Sequence, residues 1–164
     1  MSNIYQKYCN SIQNHSLGAY AILSFINGYK DANSEYPDLL HIFIFLPMIM
    51  NEDIRNSIKA PKGNGGIQSI ETLISEKIRN KKESFGMLHN LIKNFREYSL
   101  TCLIFALRTG LISILENNKL SPNSPFREED KCNHIFSTSN KLGRLLAEDK
   151  QSLERLIIAT GVNL

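Results

Sequence analysis

The sequence predicts a mainly α-helical single domain: a winged helix-turn-helix-like helical unit with one short β-hairpin as its wing, and extra N- and C-terminal helices. Three observations predict it. Apolar residues recur at helical spacing along most of the chain. Gly110 breaks that pattern, and a strand-like run, an Asn-Asn turn and a second short run follow it. Helix, helix, helix, hairpin is the order of a winged helix-turn-helix unit. With 164 residues, the chain has the length of one domain with a real core. It divides into N-terminal helices over 1–60, the winged-helix-like unit over 67–122 and C-terminal helices over 134–164.

The first helix is expected over 16–29, where Ile22, Phe25, Ile26 and Tyr29 share one face and Ser16 can cap the start. Asp31-Ala32-Asn33-Ser34 and Pro37 mark a loop. Segment 39–50 is apolar all round, so periodicity leaves a central helix and a buried strand both open; a helix disturbed near Pro47 is favoured. Asn51 then reads as an N-cap, Glu52 and Asp53 complement the helix dipole, and Ile54 and Ile58 face inward. Segment 60–66, with Pro61 and three glycines, is a flexible connector within one domain.

Ile67, Ile70, Ile74 and Ile78 make the stripe of a further long helix, with 79–82 as its solvated end. A fourth helix carries Phe85, Leu88, Leu91, Ile92 and Phe95 on one face, and a fifth carries Leu100, Leu103, Ile104 and Leu107. Gly110 stops the fifth helix. Residues 111–115 read as a strand, 116–118 as a turn and 119–121 as the return strand, ended by Pro122. After a polar linker near 125–131, two more helices turn Leu142, Leu145 and Leu146, then Leu153, Leu156 and Ile157, inward. No internal repeat is visible.

Composition narrows the function classes. Hydrophobic residues make up 42% and charged residues 21%, which excludes a disordered chain. The net charge of +3 is mild, and a dedicated nucleic-acid binder carries a stronger, clustered basic surplus. Cys9, Cys102 and Cys132 are an odd, scattered set and read as reduced thiols of a cytoplasmic protein. The first residues lack the apolar core of a signal peptide. The apolar run 39–50 is shorter than the roughly 20 residues a bilayer needs.

No motif for catalysis stands out, so no catalytic residue, metal ligand or cofactor is expected. Lys62-Gly63-Asn64-Gly65-Gly66 lacks the G-x-x-x-x-G-K-[ST] order that brings backbone amides, a lysine and a hydroxyl onto phosphates. Cys132 with His134, and Cys9 with His15, lack the paired spacing of a structural zinc site. Cys102 sits beside an apolar stripe with no activating charge and reads as structural. Glu128-Glu129-Asp130 reads as a solvated face.

The fifth helix is the most informative element. Its side away from the expected core stripe carries Thr101, Cys102, Phe105, Arg108 and Thr109. A DNA-reading helix presents several Arg, Lys, Asn or Gln side chains there. Phe105, Cys102 and Thr109 suit a protein interface, or in part a second core layer, better than a phosphate backbone.

Several segments resemble the middle-component family of three-component ABC systems. Asn14, Leu17-Gly18-Ala19, Phe25 and Gly28-Tyr29 are similar to that family's opening helix. Phe43-Ile44-Phe45-Leu46-Pro47-Met48-Ile49-Met50-Asn51 with Arg55 resembles its apolar signature ending in a proline. The run from Thr101 to Ile112 resembles its helix-plus-wing segment. Lys141-Leu142-Gly143-Arg144-Leu145-Leu146-Ala147 and Ile158-Ala159-Thr160-Gly161-Val162 resemble its C-terminal pair. The chain departs from the pattern at Leu145, where an aromatic is usual, and in a longer loop over 61–66.

The resemblance implies a set of partners: an SMC-like ABC ATPase and an effector, often a nuclease, joined by the middle component. In Lamassu-type systems the assembly defends bacteria against phages and plasmids. The first reading is thus a non-catalytic adaptor in a hetero-oligomer, with DNA able to enter through the complex and no membrane role. The alternative is a winged-helix DNA-binding regulator with Lys93, Arg96, Arg108 and Lys119 on phosphates. A small enzyme or toxin with an unrecognised site ranks third.

Overall fold

The computed structural model describes residues 2–59, 81–127, 129–130, 133–148, 154, 157, 158 and 161, with side chains described at all of these except 2–14, 57, 59 and 81–85. Its elements are α1 (Ser2–Asn33), α2 (Leu40–Met50), α3 (Glu52–Lys59), α4 (Lys81–Arg108), β1 (Ile112–Ile114), a 3₁₀ turn (Glu116–Asn118), β2 (Leu120–Pro122) and α5 (His134–Glu148). The mainly helical architecture with one short antiparallel hairpin is as the sequence predicts. The connector over 60–66 and the isoleucine stripe over 67–78 lie outside the described residues, as do Leu153 and Leu156 of the last helix.

α1 is longer than the expected helix. It starts at Ser2, so Ser16 lies inside the helix and is not its cap. The segment before Leu17 is mostly polar, with Ile4, Tyr8 and Ile12 at i, i+4, i+8 spacing, and it contains neither Gly nor Pro to stop a helix. The helix also runs past Tyr29 to Asn33. It ends where Ser34 takes a left-handed φ of 60°. The Ser34 amide donates to the Lys30 carbonyl at 2.8 Å, and the Glu35 amide to Asn33 Oδ1 at 2.9 Å.

α2 answers the question periodicity leaves open: 39–50 is a buried helix with Pro47 inside it. A helix buried on every side needs no polar face, and Phe25 of α1 stacks on Phe45 with ring centroids 4.1 Å apart. Asn51 caps α3 as expected, its Oδ1 accepting from the Ile54 amide at 3.1 Å. Arg55 then donates back to the Ile49 carbonyl at 2.8 Å and ties α3 to the end of α2. Ile54 and Ile58 are buried.

The expected fourth and fifth helices are one. α4 runs unbroken from Lys81 to Arg108. Arg96-Glu97-Tyr98-Ser99, between the two expected stripes, contains no helix breaker. Gly110, at φ 71°, terminates α4 in a Schellman arrangement. The Leu111 amide reaches back to the Ala106 carbonyl at 3.0 Å and the Gly110 amide to Leu107 at 3.1 Å.

The hairpin pairs Ile112 with Pro122, Ser113 with Ser121 and Ile114 with Leu120. Asn117 and Asn118 supply the positive φ values that its turn needs. The wing is anchored on its far side. The Leu120 amide donates to the Pro37 carbonyl at 2.9 Å, and the Leu39 amide to Asn118 at 2.9 Å, so the α1–α2 connection lies along β2.

α5 packs along α1 at very short range. A Cβ on Gly28 would collide with the Asn140 backbone carbonyl, and one on Gly143 with the Phe25 carbonyl. Two glycines facing each other's helix therefore set the approach. Asparagine amides stitch the two helices: Asn140 Nδ2 donates to the Ser24 carbonyl at 3.1 Å and Asn33 Nδ2 to Ala147 at 3.2 Å. Leu142 and Leu146 are buried as expected, and Leu145 is half-buried.

Candidate protein interface

Burial separates the two sides of α4. The inner side carries Leu88, Ile92, Ser99, Cys102, Leu103 and Ala106, all buried. At Cys102 the approach of α1 is close, since a Cβ at Gly18 would collide with its Sγ. Two large aliphatics of α4 face outward. Leu100 is 47% and Ile104 41% exposed, although hydrophobicity alone assigns them to the core.

The expected interface residues therefore separate. Cys102 is fully buried and belongs to the core layer rather than to an outer face. Burial pushes its thiol up to about 11, outweighing the opposing hydrogen bond with Tyr98, so a reactive thiolate is disfavoured. Burial likewise raises the Tyr98 phenol. Phe105 is half-buried at the core margin. Thr109 is exposed, but its hydroxyl donates to the Phe105 carbonyl at 2.7 Å, which closes the helix end.

Of the candidate nucleic-acid contacts, Lys93, Arg96 and Arg108 are exposed on the same outer arc of α4 as Leu100 and Ile104. Lys119 is half-buried in the wing, its backbone paired with that of Asp38 in an isolated antiparallel β-bridge. A second group of exposed aliphatics, Leu40, Ile114 and Leu115, surrounds the hairpin tip. The α4 face shows in the sequence as a shift in the phase of its apolar stripe, whereas the hairpin tip carries no such signal.

Among the described residues no group of three His, Cys, Asp or Glu could hold a metal ion, and no helix is long and apolar enough to cross a membrane. The side chain of Cys9, and Cys132 and Glu128 entirely, lie outside what is described. Asp130 is engaged in a local turn, its carboxylate accepting from the Arg127 amide at 2.9 Å. His41 is a buried core histidine, with Nδ1 3.0 Å from the Asp38 carbonyl and its ring edge-on to Tyr29. Burial lowers its pKa, against smaller raising effects of Asp38.

The family described as ABC-three component (ABC-3C) system Middle Component 3, MC3, matches residues 2–163. The chain belongs to this family. No curated protein and no solved structure matches it. The MC3 match joins the fold's details to a role: this is a middle component of a multi-component ABC system. Segments that carry the resemblance in sequence also meet in space. Gly18 of the opening helix lies on Cys102 of the helix-plus-wing segment, and Gly28 crosses the segment holding Gly143.

Proposed function

We propose that this MC3 chain is a non-catalytic, cytoplasmic adaptor that links an SMC-like ABC ATPase to an effector subunit, a nuclease in our reading, within a Lamassu-type complex that defends bacteria against phages or plasmids. Membership of a middle-component family over residues 2–163 carries the reading. The exposed aliphatic side chains support it. Leu100 and Ile104 on α4, and Leu40, Ile114 and Leu115 at the hairpin tip, would shed water only against another protein.

The test is co-expression with the ATPase and effector subunits of the same ABC-3C system. The expected result is a three-protein complex on size exclusion, and no DNA cleavage or nucleotide hydrolysis by the isolated chain. Separation of this chain from both subunits at micromolar concentration would refute the adaptor role. Metal-dependent DNA cleavage by the chain alone, abolished by a point substitution within it, would refute the non-catalytic role.

The DNA-binding reading draws on one observation, the common face of Lys93, Arg96 and Arg108. The aliphatic centre of that face, Leu100 and Ile104, favours protein over phosphate.

A further inference from the structure

The outer arc of α4 has an ordered composition. Leu100 and Ile104 stand one turn apart at its centre. Lys93 and Arg96 precede them and Arg108 follows; all three are exposed and have no ionic partner among the described residues. Glu97 is the carboxylate among the described residues of this arc, so cations outnumber it three to one. Arg96 and Arg108 are separated by roughly 18 Å along the axis at 1.5 Å per residue.

Three kinds of occupant can be compared on this pattern. A second copy would pair the arc with itself about a two-fold axis. Centred on the aliphatic pair, an antiparallel crossing sets Arg96 of one copy against Arg108 of the other, and a parallel crossing sets each cation against its equivalent. Both bring like charges together, which opposes association. Nucleic acid would satisfy the cations but would press phosphate and sugar onto two aliphatic side chains. A protein helix with an aliphatic ridge flanked by carboxylates satisfies both parts of the arc.

We propose that the outer face of α4 is the docking site for an amphipathic, acidic-flanked helix of another subunit of the ABC-3C system. The aliphatic ridge of that helix covers Leu100 and Ile104, and its carboxylates reach Arg96 and Arg108. The proposal rests on the adaptor reading and gives it a surface.

The experiment titrates the full-length chain against the purified ATPase subunit and, separately, the effector subunit. Two double variants are compared with wild type: Leu100→Gln with Ile104→Gln, and Arg96→Ala with Arg108→Ala. Glutamine is a good helix former, so the aliphatic variant should melt within about 2 °C of wild type. The aliphatic variant is expected to lose about 100-fold in affinity for one subunit, as two central anchors would, and to bind the other within about twofold of wild type. Wild-type affinity for that one subunit should fall with added salt, and the arginine variant should lose most of this dependence.

If the wild-type chain binds a subunit and both variants match it, the docking site is overturned while the adaptor reading stands. If the wild-type chain binds neither subunit, both fall. Salt-independent wild-type binding overturns the acidic-flanked partner. A fall in melting temperature above about 6 °C for the aliphatic variant means that the chain covers this face itself. A concentration-dependent dimer broken by the aliphatic variant makes a second copy the occupant. Salt-dependent binding to duplex DNA, abolished in the arginine variant while subunit binding persists, makes it nucleic acid.

Discussion

Gly28→Ala and Gly86→Ala make the same chemical change in two helices with opposite expected results. In a helix interior, Gly→Ala contributes up to about 1 kcal/mol of stability by restricting the unfolded backbone. At Gly86 an added Cβ meets nothing within 4 Å. The full gain is expected there, raising the melting temperature by about 2–4 °C. At Gly28 the added Cβ runs into the carbonyl oxygen, carbon and Cα of Asn140. These are backbone atoms of α5 and cannot rotate away, so the two helices must separate. Overpacking of this kind costs about 1–3 kcal/mol. Separation also stretches the bonds from Asn140 to the Ser24 carbonyl and from Asn33 to the Ala147 carbonyl, each contributing about 1 kcal/mol. Against the propensity gain, the net loss is about 2 kcal/mol or more, a drop of about 4–8 °C. Thermal and urea melts followed by circular dichroism measure both variants. A Gly28→Ala protein that melts at or above wild type would refute the close α1–α5 crossing.

Two further outcomes concern buried groups. His41 has a pKa held below its ordinary 6.5 by burial, so the unfolded chain binds a proton at a pH where the folded chain does not. Stability therefore falls as pH drops below about 6.5, by up to about 1.4 kcal/mol per pH unit, until the folded histidine also protonates. Urea melts at pH 7.5 and pH 5.5 should show His41→Gln with a smaller acid loss than wild type; an equal loss would assign it to other groups. Cys102 is buried with its thiol pushed up to about 11, so a thiol reagent at neutral pH should modify it only as fast as the chain unfolds. Fast labelling of Cys102, mapped by mass spectrometry under native conditions, would contradict its place beneath Gly18.

Elements with one-sided chemistry were legible in sequence. Asn51 caps α3, Gly110 ends α4, and the Asn117-Asn118 turn closes the hairpin, because each position demands a residue type that few others replace. The extent of α1 was only partly legible: Ile4, Tyr8 and Ile12 recur at i, i+4, i+8 before Leu17, but a mostly polar segment does not fix where the helix starts. The α1–α5 crossing was hidden for a different reason. Gly28 and Gly143 matter through a side chain they lack, and a missing side chain has no periodic signature.

α4 is the instructive failure, because the misleading signal has a physical meaning. The stripe of Leu88, Leu91, Ile92 and Phe95 and the stripe of Leu100, Leu103, Ile104 and Leu107 differ in phase by about 120° on a helix of 3.6 residues per turn. Two phases suggest two helices meeting at a turn. The structure places them on one unbroken helix. The first stripe continues inward through Ser99, Cys102, Leu103 and Ala106, and α1 comes close to Cys102 at Gly18. The shift in phase arises where Leu100 and Ile104 leave the core for the outside. A helix optimised only for its own core would place polar residues at those two positions, as it does at Lys93, Asn94, Arg96 and Glu97. An aliphatic pair out of phase with the core, on a helix that does not break, is therefore a mark of a second packing surface legible from sequence once the helix is known to be continuous.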